Sequence, residues 1–401
     1  MSPWRPSIDD RAPRRNRASY NRSNDKLERG LKLPPGPRVG LLISLAAAVS
    51  LAWGCNPTTP TAAPTSIATA IRPSMPTPLP NPVESIALVG AVGENQPGSR
   101  SALAWQGVQQ AAGVLGAASN HVYPVTAAEL YAAIPAAAPV EVPAGVTVVV
   151  TVGPAGAQAT LAVASQRPST LFLVLDQTIP ESAPANVHGL VFDDVEAGYL
   201  AGYVAASASL TGNVGFVAGL AADPSAAAYL AGLRSGALQL SLAATVSPAY
   251  AGADQDPQKG RAAVDSLVAS GAGAIVAMPD LTGYGAMRQA CAHEIPVVAL
   301  ATDAALLLPD VRSCLALSIL RRYDLAVRDA ILGYAMGHPL PRVSLGTVAS
   351  GGIQPGPFAR HASPELANGL QDVLAAMRAG PPRPTPTPAE SSTSAAPSSS
   401  T

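Results

Sequence analysis

Chemistry in this 401-residue chain would have to come from few side chains. Its five histidines, His121, His188, His293, His338 and His361, form no HExxH pair and stand at no metal-ligand spacing with cysteine, so a zinc centre has no donor set. There is no GxSxG elbow, no Walker phosphate loop and no CxxC. Gly90-Ala91-Val92-Gly93 lacks the glycine pattern of a dinucleotide site. No catalytic residue, metal ligand or cofactor is assigned, and the chain reads as a binding protein, not an enzyme. What remains are polar groups suited to holding a small ligand. Arg100 can stack on a planar group or pair with an anion, and is otherwise a solvated loop residue. Asp280 and Tyr284 place a carboxylate and a hydroxylated ring in one short loop. Arg321 can neutralise a ligand or form a structural bridge with Asp324, and the bridge is favoured.

The ends of the chain have other work. Met1 to Arg38 is polar and arginine-rich, and about 15 apolar residues follow, Val39 to Trp53, stopping at Gly54-Cys55. That run is short for a membrane span and suits a signal-peptide core. Leu51 to Cys55 resembles a bacterial lipoprotein signal, which would make Cys55 the lipidation site and tether the protein to the extracytoplasmic face of the cell membrane. Residues 56–82 form a Pro/Thr/Ala-rich spacer, and residues 381–401 a Pro/Ser/Thr-rich disordered tail. The formal net charge of −1, the lack of a basic run and the 4% aromatic content give nucleic acid no surface. Cys291 and Cys314 either pair in a disulfide, which an exported compartment permits, or stay as buried thiols.

The elements between these ends must position the polar groups. From Ser85 to Leu175, apolar runs such as Thr147 to Val152 and Thr170 to Leu175 alternate with helical segments, Ala102 to Leu115 and Ala155 to Ser165. The plan repeats from Val214 to Leu300. Repeated βαβ units predict parallel sheets wrapped by helices. The expected architecture is therefore α/β, with two Rossmann-like lobes joined by a hinge. The first lobe covers about 83–196 plus about 305–380, and the second about 197–304. Ala197 to Gly219 reads as the helix, turn and buried strand that cross between them. Ser313 to Ile319, Asp324 to Met336 and Ser344 to Ser350 are expected to return and complete the first lobe. Ligands in such folds sit at the C-terminal ends of strands, here the loops Ala91 to Ser101, Gly153-Pro154, Asp176 to Thr178, Gly219 to Pro224, Met278 to Tyr284 and Ala301 to Ala304. Asp193, Asp194 and Glu196 are expected to serve the N-terminus of the helix that follows them.

Several motifs in this order resemble the basic membrane protein family. They are Asn186 to Gly202 (NVHGLVFDDVEAGYLAG), Thr211 to Gly219 (TGNVGFVAG), Ala231-Gly232-Leu233, Ala269 to Met278, Thr282 to Gly285 and Ser318 to Ile331 (SILRRYDLAVRDAI). The resemblance covers nearly all of Val83 to Phe358. It implies a type I periplasmic-binding-protein fold and a substrate-binding lipoprotein of an ABC importer, with permease and ATPase subunits as partners and a small polar ligand, a nucleoside in characterised members. It also implies site residues. Aligned on Trp105, the family's opening stretch places Ser99 in register, Arg100 at its aromatic position and Ser101 at its asparagine. Asp303 keeps the family's second aspartate, and Arg321 replaces its lysine. Pro97 and Ala301 stand where the family has aspartates. These changes remove a stacking ring and a hydroxyl-binding carboxylate, so the resemblance carries the fold further than it carries the ligand. The alternative it leaves is a non-transporting receptor or scaffold of the same fold.

Overall fold

The computed structural model describes residues 79–139, 145–358 and 363–380. Cys55, its signal-like leader, most of the spacer and the C-terminal tail lie outside the described residues.

The first sheet grows from β1 (Val83–Val89), α1 (Arg100–Leu115), β2 (Ala118–Val122), α2 (Ala127–Ala137), β3 (Val146–Val152), α3 (Gly153–Val163), β4 (Thr170–Leu175) and β5 (Val187–Phe192). The second grows from α4 (Asp194–Ala208), β6 (Asn213–Ala218), α5 (Pro224–Leu240), β7 (Thr245–Tyr250), α6 (Pro257–Ala269), β8 (Ala274–Ala277), α7 (Leu281–Ala292), β9 (Val297–Ala301), α8 (Ala304–Leu307) and β10 (Leu315–Arg321). The chain then runs through α9 (Tyr323–Ala335), β11 (Val343–Gly346), β12 (Ile353–Pro355) and α10 (Pro364–Ala379). The two six-stranded sheets have matching orders, β2-β1-β3-β4-β5-β11 and β7-β6-β8-β9-β10-β12. Every pairing is parallel except β10 with β12. The expected α/β architecture is what the chain adopts.

Hydrophobic patterning explains the strand positions. β4 (TLFLVL) is buried along its whole length and β3 (VTVVVTV) nearly so, as parallel strands covered by helices on both faces must be. The edges are polar. β2 (ASNHV) is exposed throughout, and β7 carries Pro248, whose missing N–H only an edge strand tolerates. These edges are also where the sequence signal fails: β2 has no apolar run, and α2, with Pro135 inside it, shows little periodicity.

The connection between lobes differs from the expected one. Ser313 to Ile319 was to complete the first lobe, but the strand it forms, β10, pairs with β9 in register Leu315 to Val297 and Ser318 to Ala299, and so extends the second sheet. An apolar strand cannot announce which of two similar sheets it will join. The chain thus crosses between the sheets three times, from β5 to β6, from β10 to β11 and from β11 to β12. Helix α9 packs on α1, where a Cβ on Gly107 would collide with the Asp324 carbonyl. Strand β11 pairs with β5, and β12 pairs with β10. Helix α10 lies on α4, with Gly369 against the Tyr203 hydroxyl.

The helix of the Ala197 to Gly219 run begins earlier, at Asp194, and its partner is α5. Gly198 and Gly202 of α4 face the carbonyls of Tyr229 and Leu233, while Gly232 and Gly236 of α5 face those of Val195 and Tyr199. A side chain at any of the four would run into opposing backbone, so these glycines set how closely the two helices approach. Cys291 on α7 and Cys314 before β10 form a disulfide with Cα atoms 5.4 Å apart, which settles the alternatives their spacing left open and staples two segments of the second lobe.

Candidate functional site

Strand β4 ends at Leu175, and Asp176 turns the chain away with φ 57°, a left-handed conformation that a residue with a side chain seldom adopts. No helix begins there, so its carboxylate has no backbone N–H row to cap. It collects side chains instead. Oδ1 accepts from Arg321 Nη1 at 2.9 Å, and Oδ2 accepts from Tyr323 Oη at 2.9 Å and from Arg100 Nη1 at 3.2 Å. Arg100, the first residue of α1, also donates from Nε to Glu94 Oε1 at 2.9 Å. The other oxygen of Glu94 accepts from Ser101 Oγ at 3.0 Å, and that hydroxyl accepts from the Ala91 N–H at 2.9 Å. The loop after β1 is thereby tied to the start of α1.

Arg321, the last residue of β10, joins the two sheets at this point. Its second terminal nitrogen pairs with Asp194, the first residue of α4. Its guanidinium carbon lies 5.7 Å from the centre of the Phe192 ring and 5.5 Å from that of Tyr229, a cation held by aromatic faces. Tyr323 meets Phe192 edge to face at 5.0 Å. Two donors in this box have no acceptor: Arg321 Nε and Tyr229 Oη are buried without a hydrogen-bond partner. Burial works against the charge on both arginines. Neighbouring carboxylates outweigh it, Glu94 and Asp176 holding Arg100 charged and Asp176 and Asp194 holding Arg321 charged. Burial pushes the Tyr229 and Tyr323 hydroxyls up, so both stay protonated.

The remaining residues singled out from the sequence are placed as follows. Ser99 is buried and caps α1, accepting from the Ala102 N–H at 3.2 Å. Ser101 holds Glu94 as described. Trp105 is not brought to the cluster; its ring sits 4.4 Å from that of His121 on the edge strand β2. Asp280 caps α7 through the Gly283 N–H at 2.7 Å. Its carboxyl is pushed up to about 6 by burial, with the charges of Asp254 and Asp223 adding to the effect. Tyr284 comes across from the second lobe to the vicinity of Glu94 and Arg100, its hydroxyl pushed up by burial. Asp303 caps α8 through the Ala305 N–H at 2.9 Å. Gly98, with φ 85°, rests against Leu306 and Leu307 of that same helix.

Two expectations change. The favoured partner of Arg321, Asp324, is taken by Arg322, whose Nε and Nη2 donate to it at 2.9 and 2.7 Å. Strand alternation separates the adjacent arginines, sending Arg321 to the aromatic box and Arg322 to the other side. The acidic trio at the start of α4 also divides its labour. Asp193 is the cap, accepting from the Val195 and Glu196 N–H groups at 3.0 Å each. Asp194 pairs with Arg321, and Glu196 accepts from the Val348 N–H at 2.6 Å. Glu94, Asp176, Phe192, Tyr229 and Tyr323 escaped sequence reasoning as individual site residues. The first two lay in loops already expected to face a ligand. The three aromatic residues look like core until their rings are seen around a guanidinium.

Among the described residues no group of three His, Cys, Asp or Glu side chains could hold a metal ion. The arrangement is suited to recognition: fixed charges, protonated hydroxyls and flat rings gathered where the two sheets meet.

Comparison with known proteins agrees. The family model for ABC transporter substrate-binding protein PnrA-like matches residues 105–315. Basic membrane protein A2 of Borrelia garinii subsp. bavariensis is 30% identical over 130 residues, 32% of this chain and 38% of that protein. The ABC transporter nucleoside-binding protein BmpA of Lactococcus lactis subsp. cremoris is 30% identical over 132 residues, 33% of this chain and 37% of that protein. The chain thus matches under two fifths of the length of these relatives. A solved ABC transporter solute-binding protein from Conexibacter woesei shares the fold, with a TM-score of 0.61 at 23% identity, covering 75% of this chain and 98% of that one.

Proposed function

This chain belongs to the Bmp family of PnrA-like ABC transporter substrate-binding proteins, and from that membership we propose that it captures a small polar ligand between its two lobes for delivery to an ABC permease and its ATPase. The ligand class we propose is a nucleoside, as the name of the Lactococcus lactis relative says of that protein. The observation that carries the reading is the meeting of Asp176 from the first sheet with Arg321 from the second. A ligand held there touches both lobes at once, and contacts made only when the lobes are together favour the closed arrangement. Arg100, Asp176, Arg321, Tyr229 and Phe192 would supply the contacts, with Tyr284 and Asp303 at the rim from the second lobe. Ser99, Ser101 and Asp280 support them as caps and braces.

The proposed location is the extracytoplasmic face of the cell membrane, through acylation of Cys55 with residues 56–82 as a spacer. Among the described residues no helix is long and apolar enough to cross a membrane. Labelled fatty acid incorporated by the parent chain and not by Cys55→Ser would support the anchor.

The functional test is a thermal-shift and calorimetric screen of the full chain against nucleosides, bases, sugars and amino acids, since a ligand bound only by the folded state raises its melting temperature. We expect a shift from at least one nucleoside. A second reading, a receptor or scaffold that transports nothing, is favoured by one observation: Arg100 and Arg321 are already paired with carboxylates of the chain itself. Absence of a shift from every compound would favour it.

A further inference from the structure

The ionic cluster where the sheets meet is divided so that each side is paired on its own. On the second-lobe side, Arg321 at the end of β10 pairs with Asp194 and lies against the Tyr229 ring, and the helices that carry those two residues, α4 and α5, are set against each other by their glycines. On the first-lobe side, Asp176 after β4 accepts from Arg100 of α1 and from Tyr323 of α9, and α9 packs on α1. Arg100 has Glu94 as well. The two sides are joined by the bond from Arg321 Nη1 to Asp176 Oδ1 at 2.9 Å, seconded by the Tyr323 hydroxyl at 3.4 Å and the Phe192 ring at 5.7 Å. Parting that bond orphans no charge, because Arg321 keeps Asp194 while Asp176 keeps Arg100 and Tyr323. Breaking a buried pair is costly chiefly when it leaves an uncompensated charge behind. An ion pair that parts without doing so suits an element with two positions. The rims meet at the same time: a Cβ on Gly98 would lie 3.2 Å from Leu306 of α8, and Tyr284 of α7 stands near Glu94 and Arg100.

We propose that Asp176 is a latch: its carboxylate takes Arg321 across the junction and holds the two lobes together through the chain's own charges. In the open position each arginine falls back on the carboxylate of its own side, Arg321 on Asp194 and Arg100 on Glu94. The latch sits close to a crossing, since Arg321 stands two residues before α9, so a small parting there is a larger one at the rims. Closure by this route requires no ligand. It therefore goes beyond the capture reading above, and either can fail without the other.

The test is the distance between the rims, measured by double electron–electron resonance on the full chain carrying Cys55→Ser. Spin labels go on Val125→Cys, after β2, and Leu220→Cys, after β6, both at exposed positions. Cys291 and Cys314 are held in their disulfide and take no label. With no ligand added, the parent should give one short distance. Asp176→Asn keeps the shape of the side chain and removes its charge, so a second, longer distance should appear and hold several times the parent's share of molecules. Asp194→Asn also takes a carboxylate from Arg321 but breaks no bond between the lobes, so its distribution should stay that of the parent. Should Asp176→Asn fail to fold, Arg321→Met parts the same bond from the other side and should give the longer distance in its place. A parent already spread over long distances overturns the proposal, and so does an Asp176→Asn or Arg321→Met distribution that matches the parent. Equal opening in Asp176→Asn and Asp194→Asn overturns it too, because the change is then a general loosening and not the release of a latch.

Discussion

Acidic residues follow strands in both sheets, and of Asp176, Asp193, Asp223, Asp256, Asp280 and Asp303 all but the first cap the next helix, Asp193 after β5 included. In the second sheet Asp223, Asp256, Asp280 and Asp303 each cap the helix that starts beside them, α5, α6, α7 and α8. In the first sheet Asp176 stands after β4 with no helix to cap and gathers Arg100, Arg321 and Tyr323. The residue type and its place at a strand end are the same. What differs is the next few residues: Pro224 and Pro257 open α5 and α6 at once, whereas Gln177 to Asn186 wanders before β5 begins. A carboxylate at a strand end is spent on backbone when a helix is at hand and is free for side chains and ligands when none is.

The comparison can be broken most forcefully at Asp176. Replacing it by alanine takes one of two carboxylates from the buried Arg321 and from the part-exposed Arg100, leaving them Asp194 and Glu94, so the loss should approach without exceeding the roughly 3–5 kcal/mol of a broken buried ion pair. Urea denaturation of Asp176→Ala should show a loss of that order; a loss no larger than that of a capping variant would erase the distinction between Asp176 and the capping aspartates.

Asp280 sharpens it from the other side, through pH. Burial raises its carboxyl from an ordinary 3.8 to about 6, so the folded chain holds the proton more tightly than the unfolded one. The stabilising contribution is fully present below about pH 4 and is lost as pH rises through about 6. Asparagine can cap as aspartate does and has no such loss. Between pH 4 and pH 7 the stability of Asp280→Asn relative to the parent should improve by roughly 2 kcal/mol, read from denaturation midpoints at each pH. A flat difference across that range would place the charge in solvent.

The smallest effect belongs to a plain cap. Asp303→Ala should cost about 1 kcal/mol, and Asp303→Asn should restore most of it. Affinity for any ligand found in the screen should change less in Asp303→Asn than in Tyr229→Phe. The reverse ranking would make Asp303 a ligand contact first and a cap second.

Much of the fold was legible because parallel strands buried on both faces carry their own signature: Thr147 to Val152 and Thr170 to Leu175 could be little else. Strand β2 and helix α2 were not, since an exposed edge strand and an alanine-rich helix interrupted by Pro135 have no period to read. Helix α10 was missed although Ser363 caps it and its apolar residues recur at helical spacing. The site divides in the same manner. Arg100 and Tyr284 stood out as polar residues of loops expected to face a ligand, and Arg321 as the residue in place of the family's lysine. The pairing of Arg321 depended on which of two adjacent arginines faces inward, and that is fixed by the register of β10 against β9 and β12. Tyr229 sits within an ordinary helical pattern, and only the close approach of α4 and α5 shows what its ring is for.

That approach has a mechanical consequence. Because Gly198, Gly202, Gly232 and Gly236 bring one helix backbone against the other, the separation of Asp194 from Tyr229 is gauged by main chain, which hardly compresses, and not by side chains, which rotate. Whatever swing the lobes make about their three connections, these two jaws travel as one piece. On the proposed function, ligand entry would then be an adjustment of the Asp176 side against a fixed reference, and a single added methyl on α4 would shift that reference without touching any residue proposed to bind.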